Sequence, residues 1–528
     1  MFTNKIKLIL NTLKYLKIIQ VNYRIYYFFR NKIFTKEASI KQTHITKAIK
    51  WKNILYSNST YSPNFNTFTY LNISHSFFDQ INWNFSEFGK LWTYNLNYFD
   101  FLNQKKLSGE TGIKLILDYL NDENLLIDGK ESYPISLRGI NWIKFLANNS
   151  IKLNEIDHIL LNHYYTLLKN LEYHLLGNHL LENAFSLLFG AYYFQDEKLY
   201  FKSRDLLVSE LNEQVLKDGA HFELSPMYHQ IILSRLLDCV QLIKLNKFWK
   251  KDDLLSFLEA KAGLMNSWLK NITYKNGNIP MVNDSTFNIA PNSKKIFNYV
   301  KHLGLNSKDI PLSDSGYRKI NSNNYELLID VGNVGPDYQP GHAHSDTFNF
   351  EFIKQGKPII VDVGTSTYEK NAIRQSERAT HSHNTVKIGS KDQTQVWGGF
   401  RVAKRAKITH LIEKSNLIEA SHDGYMSDGY KHTRSFIWGE KYLILKDKIN
   451  RSTINNAKAY FHLHFSVSKP LVDGNNVILE SSGVSIEFER ASSICIEEYQ
   501  LSIGFNKTNL AYKIVVLFDQ TLKTKISL

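Results

Sequence analysis

The feature that most constrains the fold of this chain is a change in the spacing of its apolar residues near residue 310. Before that point, apolar residues recur every three or four positions, which is the spacing of an amphipathic helix. Short polar turns separate the periodic segments, as in antiparallel helical hairpins. The sequence therefore predicts helices near residues 110–125, 133–149, 153–175, 179–195, 198–217, 226–247 and 251–271.

After about residue 320, apolar and polar residues alternate in short runs that are punctuated by Gly, Asn and Asp. This pattern is typical of an antiparallel all-β domain. The predicted strands cover residues 325–331, 347–354, 357–363, 385–388, 407–412, 417–421, 442–449, 459–467 and 511–518. Because a chain of 528 residues is too long for one core, helices followed by strands indicate separate domains.

This organisation predicts a multi-domain α + β chain of four segments. Residues 1–40 form a basic amphipathic arm, residues 41–305 a helical domain, residues 306–324 a linker rich in Ser, Asn and Lys, and residues 325–528 the antiparallel β domain.

Much of the positive charge lies in the N-terminal arm. The formal net charge is +14, and the cations that precede the first acidic residue, Glu37, leave only about +6 for the rest of the chain. They are Lys5, Lys7, Lys14, Lys17, Arg24, Arg30, Lys32 and Lys36. A mildly basic body without a nucleic-acid-binding motif predicts no nucleic-acid partner. The arm itself suits either peripheral contact with an anionic membrane surface or packing on the main body, and the sequence leaves both open.

A cluster of side chains that can bind metal lies in the β domain. It comprises His342, His344, Asp346, Asp362, His381 and His383. Such a cluster can supply a His/His/Asp zinc set, and ordinary polar loop residues are the alternative. A hairpin that turns at Gln355 and Gly356 would place Asp362 opposite Asn349 and not opposite His344. A shared metal therefore requires the segment around His344 to curl back.

Two constellations lie in the helical domain. Asn178, His179 and Glu182 share one face of a predicted helix, because residues three and four apart are neighbours there. They could line a polar cleft, or they could be a capped, solvated helix start. Further on, Ser225 and Pro226 predict another helix start, which places Tyr228 in the first turn. The positive helix end would favour a phenolate there, although simple packing is the alternative.

In their order, these three stretches resemble the heparinase II/III family of polysaccharide lyases, which includes related alginate lyases. The resemblance covers roughly residues 90–440, and no single motif carries it. It extends through residues 91–100 (LWTYNLNYFD), 136–142 (SLRGINW), 280–285 (PMVNDS) and 397–402 (WGGFRV). The family's fold, an (α/α) toroid of helical hairpins followed by an antiparallel β-sandwich, agrees with the two domains predicted above.

The resemblance also implies roles for individual residues. Tyr228 corresponds to the catalytic tyrosine, His342 to a second catalytic side chain from the sandwich, and Asn178 with His179 to the pair that meets the substrate carboxylate. Glu182 corresponds to a supporting, substrate-binding cleft residue. Arg378, like Arg374 and Arg401, is a candidate to bind acidic groups of the polymer, with a solvated surface position as the alternative.

One structural zinc ion is a further implication of the resemblance. Its ligands would be His344, Asp362 and His383, with His381 as the nearest competitor for the third position. The zinc would brace the loop that carries His342 and would take no part in the chemistry.

The resemblance implies a carbon–oxygen lyase that cleaves uronate-containing acidic polysaccharides by β-elimination. Heparin- or heparan-like glycans, alginate-like glycans and a bacterial surface polysaccharide are the candidate substrates. The alternatives are a uronate C5-epimerase and a non-catalytic glycan-binding or polysaccharide-assembly protein on the same scaffold.

The N-terminus lacks the pattern of a cleavable signal peptide, since lysines interrupt its apolar residues. We therefore expect the cytoplasm or the inner-membrane periphery, with the periplasm or cell envelope of family relatives as the alternative. The sequence specifies no oligomeric state.

Overall fold

The computed structural model describes residues 2–33, 48–249, 253–454 and 456–528. Residues 34–40 of the predicted arm lie outside the described residues. Helices dominate the chain up to about residue 302 and strands dominate after it. This confirms the predicted fold class, an (α/α) toroid followed by an antiparallel β-sandwich. No helix within the described ranges is long and apolar enough to cross a membrane.

The chain begins with two helices, α1 (Phe2–Leu13) and α2 (Ile18–Ile33), and a small sheet of β1 (Tyr61–Ser62), β2 (Thr67–Tyr70) and β3 (Ile73–Ser76). The toroid then contains α3 (Lys90–Tyr98), α4 (Gly109–Asn121), α5 (Ser132–Asn148), α6 (Asn154–Lys169), α7 (Gly177–Phe194), α8 (Glu197–Gln214), α9 (Pro226–Leu245), α10 (Leu254–Ile272) and α11 (Ser293–His302).

The helices of the toroid form an inner and an outer layer. The inner helices α5, α7 and α9 are buried around almost their whole circumference, whereas the outer helices α4, α6, α8 and α10 bury one face. Every residue of α7 is buried except His179. An inner helix with one accessible residue at its N-terminus indicates where the toroid opens to ligand.

The β domain begins with β4 (Tyr317–Asn321), which lies within the segment predicted as a linker, and continues with β5 (Tyr325–Asp330), β6 (Phe350–Lys354) and β7 (Lys357–Ile360). A short helix, α12 (Ala372–Glu377), precedes the remaining strands. These are β8 (Val386–Ile388), β9 (Val396–Trp397), β10 (Arg401–Val402), β11 (Ile408–Lys414), β12 (Leu417–His422), β13 (His432–Gly439), β14 (Tyr442–Ile449), β15 (Ala457–His462), β16 (Leu471–Asp473), β17 (Asn476–Leu479), β18 (Val484–Glu489), β19 (Ser493–Gly504), β20 (Lys507–Phe518) and β21 (Thr521–Ser527).

The strands form two layers around one apolar core. An eight-stranded sheet of order β11-β12-β13-β14-β21-β18-β17-β16 packs against two four-stranded sheets, β19-β20-β15-β8 and β4-β5-β6-β7. The ring of Phe436 on β13 lies 6.2 Å from that of Phe350 on β6, and Phe488 on β18 lies 5.4 Å from Phe461 on β15. Alternating burial along β14 and β18 is the pattern of strands with one face in a core.

Buried polar contacts join the sandwich to the end of the toroid. Glu351 on β6 accepts a hydrogen bond of 2.6 Å from the Tyr274 hydroxyl and another from the backbone N–H of Met281. Glu326 on β5 accepts from the backbone N–H of Lys275. These contacts hold the loop after α10 against the sandwich, and that loop carries Asp284 to a buried position behind the cleft described next.

Candidate functional site

A cleft of about 1160 Å³ lies between the toroid and the sandwich. The starts of α7 and α9 form its toroid side. The segments 338–342, 368–370 and 397–402 form its sandwich side, and α1 contributes a further wall. Ligand clefts commonly form at such domain junctions.

The start of α7 presents Asn178 to the cleft. The carboxylate of Glu223 accepts hydrogen bonds from the backbone N–H of Asn178, at 3.0 Å, and from its side-chain Nδ2, at 2.9 Å. Asn178 Nδ2 also lies 3.3 Å from Nε2 of His342. Glu223 therefore fixes the amide so that it points toward the sandwich residue.

The start of α9 presents Tyr228. Ser225 caps the helix by accepting a hydrogen bond of 3.2 Å from the backbone N–H of Tyr228, and Pro226 occupies the first turn. The Tyr228 ring stacks on the His342 ring, with centroids 3.8 Å apart and an interplanar angle of 27°. The structure thus brings Tyr228, His342 and Asn178 together, although they come from two helices and a sandwich loop.

His342 lies between β5 and β6, and polar contacts hold its ring. Nδ1 lies 2.8 Å from Oδ2 of Asp284. A carboxylate only accepts, so Nδ1 carries a proton. Nε2 lies 3.3 Å from Asn178 Nδ2 and 3.3 Å from Oε2 of Glu223. The ring is therefore held by Asp284 on one side and by Asn178 and Glu223 on the other.

Asp284 is the centre of the network behind the cleft. Its Oδ1 accepts from Nε2 of His344 at 2.9 Å, and the guanidinium of Arg374 forms two hydrogen bonds to the carboxylate. Burial opposes ionisation, but Arg374 and the two histidine hydrogen bonds hold the pKa of Asp284 well below its usual range. Asp284 comes from the toroid and its partners from the sandwich, so it locks the two sides together.

The side chain of Tyr228 is half-buried in the wall of the cleft. Burial raises the pKa of Tyr228, and the negative charges of Asp284 and Glu223 raise it further. The pKa is therefore raised, and the expectation that the helix end favours a phenolate was wrong. The Tyr368 hydroxyl donates to the Tyr228 oxygen at 3.3 Å and partly offsets the shift. At neutral pH, Tyr228 is a protonated phenol that can donate a proton.

His179, at the start of α7, pairs with a buried carboxylate. Its Nδ1 lies 3.0 Å from Oε1 of Glu172, and Asn183 donates to the other oxygen of Glu172. Burial opposes the charged form, but Glu172 raises the pKa of His179 above its usual value. The side chain of His179 is 32% exposed, so the cleft contains an accessible imidazole that is biased toward the cation.

Glu182 also lines the cleft, one turn below His179. It is fully buried, neither carboxylate oxygen has a hydrogen-bond partner, and Nε of Arg235 lies 3.5 Å away. Burial raises the pKa of Glu182 to about 7, although Arg235 acts in the opposite direction. The cleft floor therefore contains an acid that is half-protonated near neutral pH.

Arg378 lies outside the cleft lining. Its guanidinium is completely buried and donates to the backbone oxygens of Ala343, at 2.9 Å, and Gly399, at 2.7 Å. Burial lowers the pKa of Arg378 to about 9, and nearby Arg374 lowers it as well. The residue is neither a surface position nor in reach of substrate in this structure. It supports the loop between His342 and His344 from behind.

The three predicted zinc ligands are completely buried but do not surround one point. Asn349 Nδ2 and His383 Nδ1 each lie 2.7 Å from Oδ2 of Asp362, as the predicted hairpin register implied for Asn349, whereas His344 pairs with Asp284. Among the described residues, no group of three or more His, Cys, Asp or Glu side chains is arranged around a metal position. Nδ1 of His344 and Nε2 of His383 nevertheless remain buried without hydrogen-bond partners, as unused ligand atoms would.

Sequence reasoning missed four residues that organise the site. These are Glu172, Glu223, Asp284 and Tyr368. Asp284 lies in the PMVNDS motif and Glu223 just before the start of α9, but neither local sequence indicates a partner, which is 58 and 45 residues away respectively. Glu172 and Tyr368 had no recognisable local signal.

Comparisons with known proteins agree with this architecture. Residues 139–309 match the heparinase II/III N-terminus, and residues 305–528 match the heparinase II/III-like C-terminal domain. A heparin-sulfate lyase from Bacteroides stercoris is 24% identical over 356 residues, which are 61% of this chain and 50% of that protein. A heparin-sulfate lyase from Pedobacter heparinus is 24% identical over 372 residues, 63% of this chain and 54% of that protein.

The chain spans about half the length of these curated relatives. A crystal structure of heparinase III superposes with a TM-score of 0.64 at 16% identity, covering 96% of this chain and 91% of the other. That identity supports the fold alone. The two family models, by contrast, match adjacent parts of the sequence in the expected order and together cover most of it, so the chain belongs to the heparinase II/III family.

Proposed function

We propose that this protein is a polysaccharide lyase that cleaves uronate-containing acidic glycans, of the glycosaminoglycan class, by β-elimination. The observation that carries the proposal is the stacking of Tyr228 on His342 beside Asn178, where toroid and sandwich meet. The heparin-sulfate lyases that the chain resembles support the substrate class. Alginate-like and bacterial surface polysaccharides also contain uronates and are the alternative substrates.

Elimination requires the proton on C5 of the uronate to leave, and the adjacent carboxylate keeps that proton weakly acidic. The site must therefore neutralise the carboxylate and stabilise the enolate-like intermediate. Asn178 and His179 fit this role, because Glu223 orients the amide and Glu172 biases the imidazole toward the cation. Both groups are pre-oriented before substrate binds.

The proton transfers follow from the hydrogen bonds of the two stacked rings. Nε2 of His342 takes the C5 proton, and the electrons of the C5–H bond form the C4=C5 double bond. The C4–O bond breaks, and the hydroxyl of Tyr228 protonates the departing oxygen. The hydrogen bond from Tyr368 stabilises the phenolate that results. Transfer of the proton from His342 to Tyr228 restores both groups, and the rings are in contact.

The adjacency of Tyr228 and His342 favours a lyase over an epimerase. A C5-epimerase must return a proton to the face opposite to the one it deprotonates, which requires acid and base on both sides of the sugar. Two rings with centroids 3.8 Å apart form one wall of the cleft. A non-catalytic glycan-binding protein would have no need for the oriented network around Asp284 and Glu223.

Ultraviolet absorbance tests the proposal directly, since elimination creates a conjugated double bond in the new uronate end and hydrolysis does not. The protein is incubated with heparan sulfate, hyaluronan, chondroitin and alginate. We expect one or more of these to give a rising signal, and Tyr228→Phe to lower kcat by about 10²–10⁴-fold. Tyr442→Phe, on exposed β14 of the sandwich, is the matched control and should leave kcat unchanged.

Absence of absorbance with every glycan would contradict the lyase assignment for this panel. The same samples in deuterated water then identify an epimerase, because reversible proton abstraction exchanges the C5 proton without cleavage. Neither cleavage nor exchange, together with measurable glycan binding, would instead identify a non-catalytic binding protein.

We further propose one structural zinc held by His344, Asp362 and His383. The unpartnered nitrogens of His344 and His383, both completely buried, support it, and two imidazoles with a carboxylate suit zinc. Binding would require a small rearrangement, because His344 now pairs with Asp284. Metal analysis of the purified protein should give about one zinc per chain, and none in His383→Ala. An equal zinc content in both would refute the site.

A further inference from the structure

The two N-terminal helices attach the start of the chain to both domains. Thr12 accepts a hydrogen bond of 3.1 Å from the indole N–H of Trp397 in the sandwich. On the toroid side, Gln20 donates to the backbone oxygen of Leu175 at 3.0 Å, and the hydroxyl of Tyr27 donates to the backbone oxygen of Leu171 at 2.6 Å. Both helices are therefore held on the body, and the outer surface of α2 has a defined orientation.

The helix α2 has two different faces. Ile19, Gln20, Tyr23 and Tyr27 point toward the body, where Tyr23 stacks on Tyr173 at 4.5 Å. On the opposite face lies the outer stripe, made of Ile18, Val21, Ile25, Phe28 and Phe29, all of them exposed. At about 100° per residue, these five residues fall within one arc of about 100° along the helix.

A stripe of this kind is unusual on a protein surface. Single exposed apolar residues are common, but contiguous large ones generally mark an interaction site. Ile18 is 78% exposed, and Phe28 and Phe29 are 56% and 55% exposed, so these side chains do not pack on the body. Burial of these side chains against an apolar partner would therefore be favourable.

The charge around the outer stripe identifies the partner. Residues 2–33 contain no acidic residue. Lys32 lies over the ring of Phe28 at 4.3 Å, and Lys5, Lys7 and Lys14 of the preceding segment are also exposed. A helix that combines large apolar side chains with cations and no acids has the composition of an interfacial membrane helix, in which apolar residues enter the acyl region and cations contact anionic headgroups.

We propose that the outer stripe of α2 docks this protein on the surface of an anionic phospholipid bilayer. The proposal goes beyond the glycan chemistry and does not depend on it. Because Ile9 and Leu13 of α1 and Leu16 of the following turn line the cleft, docking would hold the cleft beside the membrane surface. The protein would lie on the bilayer and not span it.

Vesicle sedimentation tests this with the full-length protein. We expect binding to vesicles of phosphatidylcholine with phosphatidylglycerol and much weaker binding to phosphatidylcholine alone. The stripe variant Ile18→Ser/Ile25→Ser/Phe29→Ser should lose about tenfold or more in partition coefficient. A control of the same composition, Ile127→Ser/Ile454→Ser/Phe78→Ser, removes two isoleucines and a phenylalanine that are even more exposed elsewhere and should bind like the wild type.

A second variant, Lys7→Gln/Lys14→Gln/Lys32→Gln, separates the electrostatic part. It should lower binding to anionic vesicles by at least about fivefold and leave the weak binding to phosphatidylcholine unchanged. Circular dichroism checks that all variants are folded, which is expected because every substituted side chain is exposed.

Two outcomes would overturn the proposal. One is equal binding by the stripe variant and the wild type, or no binding by either. The other is concentration-dependent dimerisation of the wild type that the stripe variant abolishes while vesicles fail to bind, which would place a second copy of the chain on the stripe. The assay needs no catalysis, so its failure is distinguishable from failure of the lyase proposal.

Discussion

The two sides of the cleft position their functional groups by different means. On the toroid side, Asn178 and Tyr228 lie in the first turns of buried helices. Ser225 caps the helix at Tyr228, whereas Glu223 orients the Asn178 amide. On the sandwich side, His342 lies in the long connection between β5 and β6, where no regular structure restrains it. A buried ion network around Asp284 takes that role.

The two arrangements should differ in how sensitive they are to the loss of a single contact. Regular helices distribute the cost of a lost contact over many hydrogen bonds, whereas a loop that depends on one carboxylate does not. We therefore expect the sandwich side to be sensitive at a single buried position, and the toroid side to tolerate the loss of a local contact.

The largest effect should come from Asp284→Asn, which acts on the sandwich side without touching substrate. The amide removes the charge that Arg374 pairs with and alters the acceptor that orients His342. Leaving a buried guanidinium unpaired costs about 3–5 kcal/mol. We expect a drop of about 100-fold or more in kcat with little change in KM, measured by steady-state absorbance, and a matching loss of stability in urea.

A double variant separates stability from positioning. Adding Arg374→Met to Asp284→Asn removes the unpaired cation, so much of the stability should return. The activity should stay low because His342 still lacks its acceptor. A single variant with wild-type kcat would show that the sandwich loop is held by other contacts, and the contrast between the two sides would fail.

Much of the fold was predictable because local sequence patterns determine it. The change from helical to alternating periodicity near residue 310 correctly indicated toroid and sandwich, since each element buries one face or all of its surface. The pair Ser225 and Pro226 predicted the start of α9. Asn349 contacts Asp362, as the turn at Gln355 and Gly356 predicted, although a bulge shifts the register of β6 and β7 by one residue.

Only those residues of the site that lie in a local sequence motif were predictable. Tyr228, Asn178 and His342 meet as the family resemblance implied, but their supports, Glu223 and Asp284, act through space. The expected effect of the helix end on Tyr228 was wrong because burial, which depends on tertiary packing, dominates its pKa. Arg378 was likewise assigned from its charge, and its burial was invisible in the sequence.

A smaller effect is expected from the buried acid of the toroid side. The pKa of Glu182 is raised from 4.5 to about 7, so the folded protein binds its proton more tightly than the unfolded chain does. The free energy of unfolding should therefore decrease as pH rises from 4.5 to about 7 and stay at its reduced value above that range. In Glu182→Gln this fall should be absent. The free energy of unfolding of the variant should equal that of the wild type below pH 4.5 and exceed it above pH 7.

Urea titrations at several pH values measure the difference. The shift corresponds to about 3 kcal/mol at most, and the ion pair with Arg235 is already included in it. A constant difference between variant and wild type across the whole range would mean that Glu182 does not change its protonation in the folded protein.

The smallest effect should come from the helix cap that positions Tyr228. Ser225→Ala removes the acceptor for the Tyr228 backbone N–H and also the buried hydroxyl that donates to the backbone oxygen of Asp284 at 2.7 Å, and it should cost about 1–2 kcal/mol. Ser108 caps α4 by accepting from the Thr111 N–H at 3.1 Å, but it is exposed, and α4 lies away from the cleft. Ser108→Ala is thus a control for the loss of a cap alone. Thermal unfolding should report a smaller loss for Ser108→Ala, and only Ser225→Ala should lower kcat, by a few-fold, because Tyr228 shifts relative to His342. Equal kcat in both variants would mean that the stack on His342, and not the helix, positions Tyr228, and the two sides of the cleft would then be held by the same network.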